Sequence, residues 1–183
     1  MLRFVFALLM LVALPFVPAR AELVIDINQG VTDPMPIAIN ALYGAGAEES
    51  RVGRDMARVI SADLARSGLF RPLDPRSFLQ PAQDAAVSPR FPDWRAINAT
   101  AMVAGTVTAL GDGRLRVEFR LCDVSAQAQL AGLAFQTTPD NWRRIAHIIA
   151  DTIYKRITGE EGYFDTRIVY VAESGPMNRR TKR

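Results

Sequence analysis

The chain has 183 residues, of which 49% are hydrophobic and 22% charged, enough for one domain with a core of its own. A single cysteine, Cys122, excludes an internal disulfide, and a single histidine, His147, excludes a histidine-rich metal site. The formal net charge of +3 includes Arg3 and Arg20 of a leader; without them the balance is close to neutral and gives no support to nucleic-acid binding.

The leader is "MLRFVFALLMLVALPFVPARA". Arg3 supplies a positive start, Phe4 to Leu14 an unbroken apolar run, and Ala19-Arg20-Ala21 a small-x-small cleavage site. That order predicts a secretory signal peptide over residues 1–21 rather than a buried N-terminal helix, and the run is too short for a membrane span. No cysteine follows the cleavage site, so no lipid anchor is expected there. The mature chain is expected to begin near Glu22, soluble and exported.

"ELVIDI", Glu22 to Ile27, is rich in β-formers, and "NQGVTDP" interrupts it with Gly30 and Pro34. Ile37 to Leu42 reads as a second strand and Tyr43 to Ala47 as a loop. Its "GAG" lacks the third glycine and the lysine of a phosphate-binding turn. Glu48 to Ser67 predicts a helix, with Val52, Met56, Val59, Ile60 and Leu64 on one face. Its acidic start suits the helix dipole, and Gly68 suits the left-handed position beyond its end. Arg51, Arg54, Asp55, Arg58, Asp63 and Arg66 read as the solvated face.

Leu69 and Phe70 open a short edge strand, limited by Pro72 and Pro75. Gln80 to Asp93, with three prolines, reads as a long surface loop. Asp93 to Asn98 reads as a short helix capped by Asp93, in which Trp94 and Ile97 dock together. A meander follows. Thr100 to Leu110 is a strand, "GDG" a hairpin turn, "RLRVEFRLCDV" an alternating strand and Gln129 to Thr138 a third. Cys122 is read as core filler within it. Thr138 and Pro139 start a second helix whose apolar face comprises Trp142, Ile145, Ile149, Ile153 and Tyr154, with Ile148 and Ile157 on its flanks. Gly159 ends it. Beyond lie a strand, Arg167 to Ala172, and a basic tail. The expected class is α/β, a mixed β-sheet packed against two amphipathic helices.

Chemistry-bearing motifs are sparse. His147 lies between apolar residues on the second helix and reads as structural rather than as a general base, and no G-x-S-x-G elbow is present. The acidic residues form no calcium-binding loop. No catalytic residue, cofactor or metal site is expected. A non-enzymatic interaction domain is the leading expectation. An accessory domain of a periplasmic hydrolase or transferase and an RNA-binding fold are the alternatives.

Four stretches, in order, carry a resemblance: "ELVIDINQGVTDPMPIAI", "GRDMARVISADLARSGLFRPLD", "FPDWRAINATAMVAGTV" and "GYFDTRIVYVAESG". Together they resemble the N-terminal part of the TolB family, periplasmic components of the bacterial Tol-Pal system. The resemblance implies an α/β domain over residues 22–160 followed by a six-bladed β-propeller. Residues 161–183 would hold only its start, so Arg167 to Ala172 would be one stray strand of a missing propeller, left without its blade and prone to aggregate. It also implies partners: the lipoprotein Pal through the propeller, and the C-terminal domain of the inner-membrane protein TolA through the mature N-terminal segment. That segment is Glu22, Leu23, Val24, Ile25, Asp26, Ile27, Asn28, Gln29, Gly30, Val31 and Thr32. The implied role is in outer-membrane invagination during division and in outer-membrane integrity.

Overall fold

Strand β1, Met35–Ile39, has a parallel neighbour on each side, β2 (Phe70–Pro72) and β3 (Ala101–Ala109). Strands β4 (Leu115–Asp123) and β5 (Ala128–Thr137) continue from β3 as an antiparallel meander. The five-stranded order is β2-β1-β3-β4-β5. The computed structural model describes residues 33–166, 173–174 and 181–182. The expected signal peptide, the segment Glu22 to Thr32 and the strand Arg167 to Ala172 lie outside the described residues. The short strands β6 (Glu173–Ser174) and β7 (Thr181–Lys182) pair antiparallel with each other.

Parallel neighbours cannot be joined by a tight turn and need a crossover. From β1 the chain crosses to β2 through helix α1, Ala47–Arg66. From β2 it returns to β3 through two short helices, α2 (Ala82–Val87) and α3 (Phe91–Ala96). Helix α4, Trp142–Thr158, follows β5 after a 3-10 turn at Pro139–Asn141. Pro139 thus starts the 3-10 turn rather than α4, and the Thr138 side chain makes no capping bond.

The two-residue period of the strands sorts side chains onto two cores. Ile37, Ile39, Val103, Val107, Val117, Phe119 and Leu121 pack with Met56, Ile60 and Leu64 of α1 and Ile145, Ile149 and Ile153 of α4. Ala38, Met102, Ala104, Cys122 and Val124 face the other way, onto Ala85 of α2 and Trp94 of α3. Cys122 is core filler as expected, and its burial pushes the thiol pKa up. The two amphipathic helices predicted from sequence form one layer. The second layer is a correction to the sequence reading.

The correction concerns Gln80 to Asp93, expected as surface loop. Pro81 precedes the first residue of α2 and Pro92 lies in the first turn of α3. At those positions a proline starts a helix instead of breaking one, because its missing N–H is not needed there. Asp93 does not cap α3; it sits in the first turn and accepts from Arg90 Nε at 2.7 Å. Trp94 is fully buried, edge-on to Phe78 with ring centroids 5.3 Å apart, and Ile97 packs against the same cluster as anticipated.

Strand β1 leaves its ladder earlier than the expected Leu42 but does not leave the sheet. Tyr43 N donates to the Gly105 carbonyl at 2.8 Å, and Val107 N to the Tyr43 carbonyl at 2.7 Å. Between them the chain meets α1 backbone to backbone. A Cβ on Gly53 would lie 1.9 Å from the Leu42 carbonyl oxygen, so only glycine allows this approach.

A second correction concerns Asp63, expected on the solvated face of α1. It is 1% exposed. Arg66 Nη2 donates to its Oδ1 at 2.6 Å, and His147 Nδ1 of α4 lies 2.5 Å from its Oδ2. The carboxylate therefore ties α1 to α4 across the top of the first core. Glu48, Arg51 and Arg58 do lie on the exposed face and pair along the helix. After α4, Gly159 takes φ +80° and the chain folds back. The backbone amides of Phe164 and Asp165 donate to the two carboxylate oxygens of Asp151 at 2.7 and 3.0 Å. The Tyr163 and Phe164 rings stand edge-on to Tyr154.

Three substitutions test this frame. A buried hydrogen bond that loses one partner leaves the other unsatisfied, at a cost of about 1–3 kcal/mol. Asp63→Ala, which strands His147 at the α1–α4 contact, is expected within that range in urea unfolding. His147→Gln, which keeps a donor for the carboxylate, is expected to lose clearly less. Gly53→Ala is expected to destabilise by about 1–3 kcal/mol through overpacking, read from the same unfolding curves.

Candidate functional site

The β1 and β2 connections leave on opposite faces of the sheet, α1 to one and α2–α3 to the other. In an open sheet with parallel strands, a crevice forms outside the strand ends where this happens. Here it is a cleft of about 1080 Å³. Ile39, Asn40 and Ala41 line it from the end of β1, and Pro72, Leu73, Asp74 and Pro75 from the end of β2. Arg54, Ala57, Arg58 and Ser61 of α1 form one wall, and the stretch from Phe78 to Ala82 forms the other.

Each wall has a local cause. Asp74 caps the 3-10 turn Pro75–Ser77 by accepting from Arg76 N at 2.9 Å. The Arg76 side chain, and then its backbone amide, hold the Asp74 carboxyl at about 2, so it stays anionic and already paired. Gln80, 2% exposed, organises the opposite wall. Its Nε2 donates to the Ser88 carbonyl at 2.8 Å, while its Oε1 accepts from Arg90 N at 2.9 Å and Trp94 Nε1 at 3.1 Å. Arg58 pairs with Asp55, whose carboxyl is held below its usual value chiefly by that hydrogen bond. The lining is thus largely apolar, with proline-stiffened walls and arginines of α1 at one side. Such a cleft suits an apolar side chain, and its acidic lining residue, Asp74, is already engaged by Arg76.

His147 does not line the cleft; it is committed to Asp63 between the helices. Among the described residues, no group of three or more His, Cys, Asp and Glu is placed to hold a metal ion. No helix among them is long and apolar enough to cross a membrane. The residues singled out by sequence for partner binding, Glu22 to Thr32, lie outside the described residues. The chain they lead into is held at once: Met35 N donates to the Leu69 carbonyl at 2.9 Å as β1 enters the sheet. Sequence reasoning missed Gln80 and Asp63. Asp63 carried a usable signal, since it follows Met56 by one heptad and Ile60 by three residues, on the buried face. Gln80 carried none, because its partners come from Ser88, Arg90 and Trp94, contacts that only the folded loop creates.

Gln80→Leu leaves the Ser88 carbonyl, the Arg90 amide and the Trp94 indole without their partner. Stranded buried groups cost about 1–3 kcal/mol each. The expected outcome is faster amide exchange across residues 82–96, with the β3–β4 ladder unchanged, in hydrogen-exchange measurements.

Comparison with known proteins adds a family to this geometry. Residues 23–130 match the model of the TolB amino-terminal domain. Over 166 residues the chain is 57% identical to the Tol-Pal system protein TolB of Paramagnetospirillum magneticum, an alignment covering 91% of this chain and 37% of that protein. The crystal structure of TolB from Acinetobacter baumannii superposes with a TM-score of 0.63 at 26% identity, over 76% of this chain and 32% of that one. The chain therefore spans about a third of the length of these relatives.

Proposed function

The chain belongs to the TolB amino-terminal domain family, and on that premise we propose that it acts as a non-enzymatic periplasmic adaptor of the Tol-Pal system. The observation that carries this reading is the 57% identity, over 166 residues, with a Tol-Pal system protein TolB. In this reading residues 1–21 direct export and are removed, residues 22–160 form the adaptor domain, and residues 161–183 open a β-propeller. The adaptor links TolA at the inner membrane to Pal at the outer membrane, and serves outer-membrane invagination during division and outer-membrane integrity.

The chemistry of the TolA contact follows from the segment itself. Glu22 to Ile27 adds as a strand to a sheet edge of TolA. Main-chain hydrogen bonds supply affinity, and Leu23, Val24, Ile25 and Ile27 supply anchors. The segment alternates between packing on its own protein and adding to TolA, and Pal on the propeller shifts that equilibrium only by binding one of these two states better than the other. At the exit of the domain, Asp151, Tyr154 and Arg144 of α4 hold the residues after Gly159.

Deletion of Glu22 to Thr32 tests the assignment. Titration calorimetry against the TolA C-terminal domain is expected to show loss of binding. Circular dichroism and Tm are expected to stay at the parent values, because β1 and its ladders are intact. Unchanged affinity would remove the segment from the contact.

A further inference from the structure

The two outer edges of the sheet differ. Strand β2 is three residues long and ends in Pro72, the usual ways of blunting an edge. Strand β5 is ten residues long, "AQLAGLAFQT", with no proline and no charge. The hydrogen bonds at the two ends of the β3–β4 ladder, Val124 N to the Thr100 carbonyl at 3.0 Å and Leu110 N to the Arg114 carbonyl at 2.7 Å, show which backbone groups face which way. Even-numbered residues of β4 bond to β3, so the odd-numbered ones bond to β5, at Ala131, Leu133, Phe135 and Thr137. Gly132, Ala134 and Gln136 therefore turn their N–H and C=O outward, and all three are exposed. At the register shift beside Leu130, Arg156 Nε donates to the Leu130 carbonyl at 3.0 Å and closes the edge there.

We infer that this open stretch, Ala131 to Thr137, is an interface on which a second copy of the chain pairs antiparallel about a two-fold axis at Ala134. The strand is its own complement in that register. Ala134 meets Ala134 of the second copy, and Gly132 meets Gln136, so every outward N–H and C=O of the stretch gains a partner. On the helix side Leu133 meets Phe135. Leu133 is 48% exposed in the single chain, one of few large apolar side chains left so open among the described residues. Phe135 is already stacked on Phe119, with centroids 6.4 Å apart, and so offers a fixed surface. On the opposite face only Gly132, Ala134 and Gln136 meet, with nothing bulky and no like charges to oppose. The result is one continuous ten-stranded sheet.

Sedimentation of the full chain over a concentration series reads the inference directly, with a monomer–dimer equilibrium expected. Ala134→Pro removes an outward N–H that β4 does not use, so the fold tolerates it. It is expected to weaken self-association roughly tenfold or more while Tm stays close to the parent value. A second variant guards against a misfolded proline mutant. Ala134→Cys places two thiols across the axis, where paired strands hold Cα atoms about 5.5 Å apart, and is expected to form a covalent dimer on mild oxidation. Leu79→Cys, exposed on the cleft side, is expected not to. Sedimentation as a monomer throughout, self-association indifferent to Ala134→Pro, or equal cross-linking at Leu79→Cys would each overturn the inference.

Discussion

Everything in the domain follows from β1 having parallel neighbours on both sides. Neither neighbour can be reached by a tight turn, so the chain must cross the sheet twice, once over each face. The first crossing is long enough to be α1. The second is assembled from two helices of six residues each, α2 and α3. The two crossings create two cores, one rich in Ile, Val and Leu under α1 and α4, the other small and centred on Trp94. The same geometry opens the cleft, because the chain departs in opposite directions from adjacent strand ends. The cleft is thus a consequence of topology before it is a property of any side chain.

Within that frame a few polar groups set the relative placement of the layers. Asp63 joins α1 to α4, Gln80 joins α2 to α3, and Asp151 joins α4 to the residues that leave the domain. Each is a buried or half-buried acceptor satisfied by groups from elsewhere in the chain. Apolar packing alone is tolerant of small rotations, whereas a carboxylate between two specific donors is not. The helix layer is therefore held to the sheet by volume and held in orientation by hydrogen bonds.

Much of this was legible in the sequence, for identifiable reasons. Alternation in "RLRVEFRLCDV" puts Leu115, Val117, Phe119 and Leu121 on one face of β4, and all four are buried, because one period governs the whole strand. Helical spacing did the same for α1 and α4, and the glycines after them marked their ends. The fold class and the family also followed from the stretches quoted above. What failed was long-range or depended on context. Three prolines between Gln80 and Asp93 signal irregular chain when counted, but Pro81 and Pro92 sit at helix starts, where proline fits. Asp63 was assigned to solvent by residue type although its position put it on the buried face. The cleft was invisible, since its lining comes from four separated stretches. The interaction segment Glu22 to Thr32 rests on its own residues and on the family.

The grip on β1 has a mechanical consequence. Tension entering the domain at Asp33 would pull along the strand axis and meet the ladders to β2 and β3 together. In that direction the hydrogen bonds are loaded side by side and must yield as a group, unlike a ladder opened one rung at a time. At the other terminus the load would enter through α4, with the Asp151 carboxylate and the aromatic rings around Tyr154 spreading it into the first core. A domain pulled between its two chain ends is thus built to transmit force rather than to absorb it by unravelling.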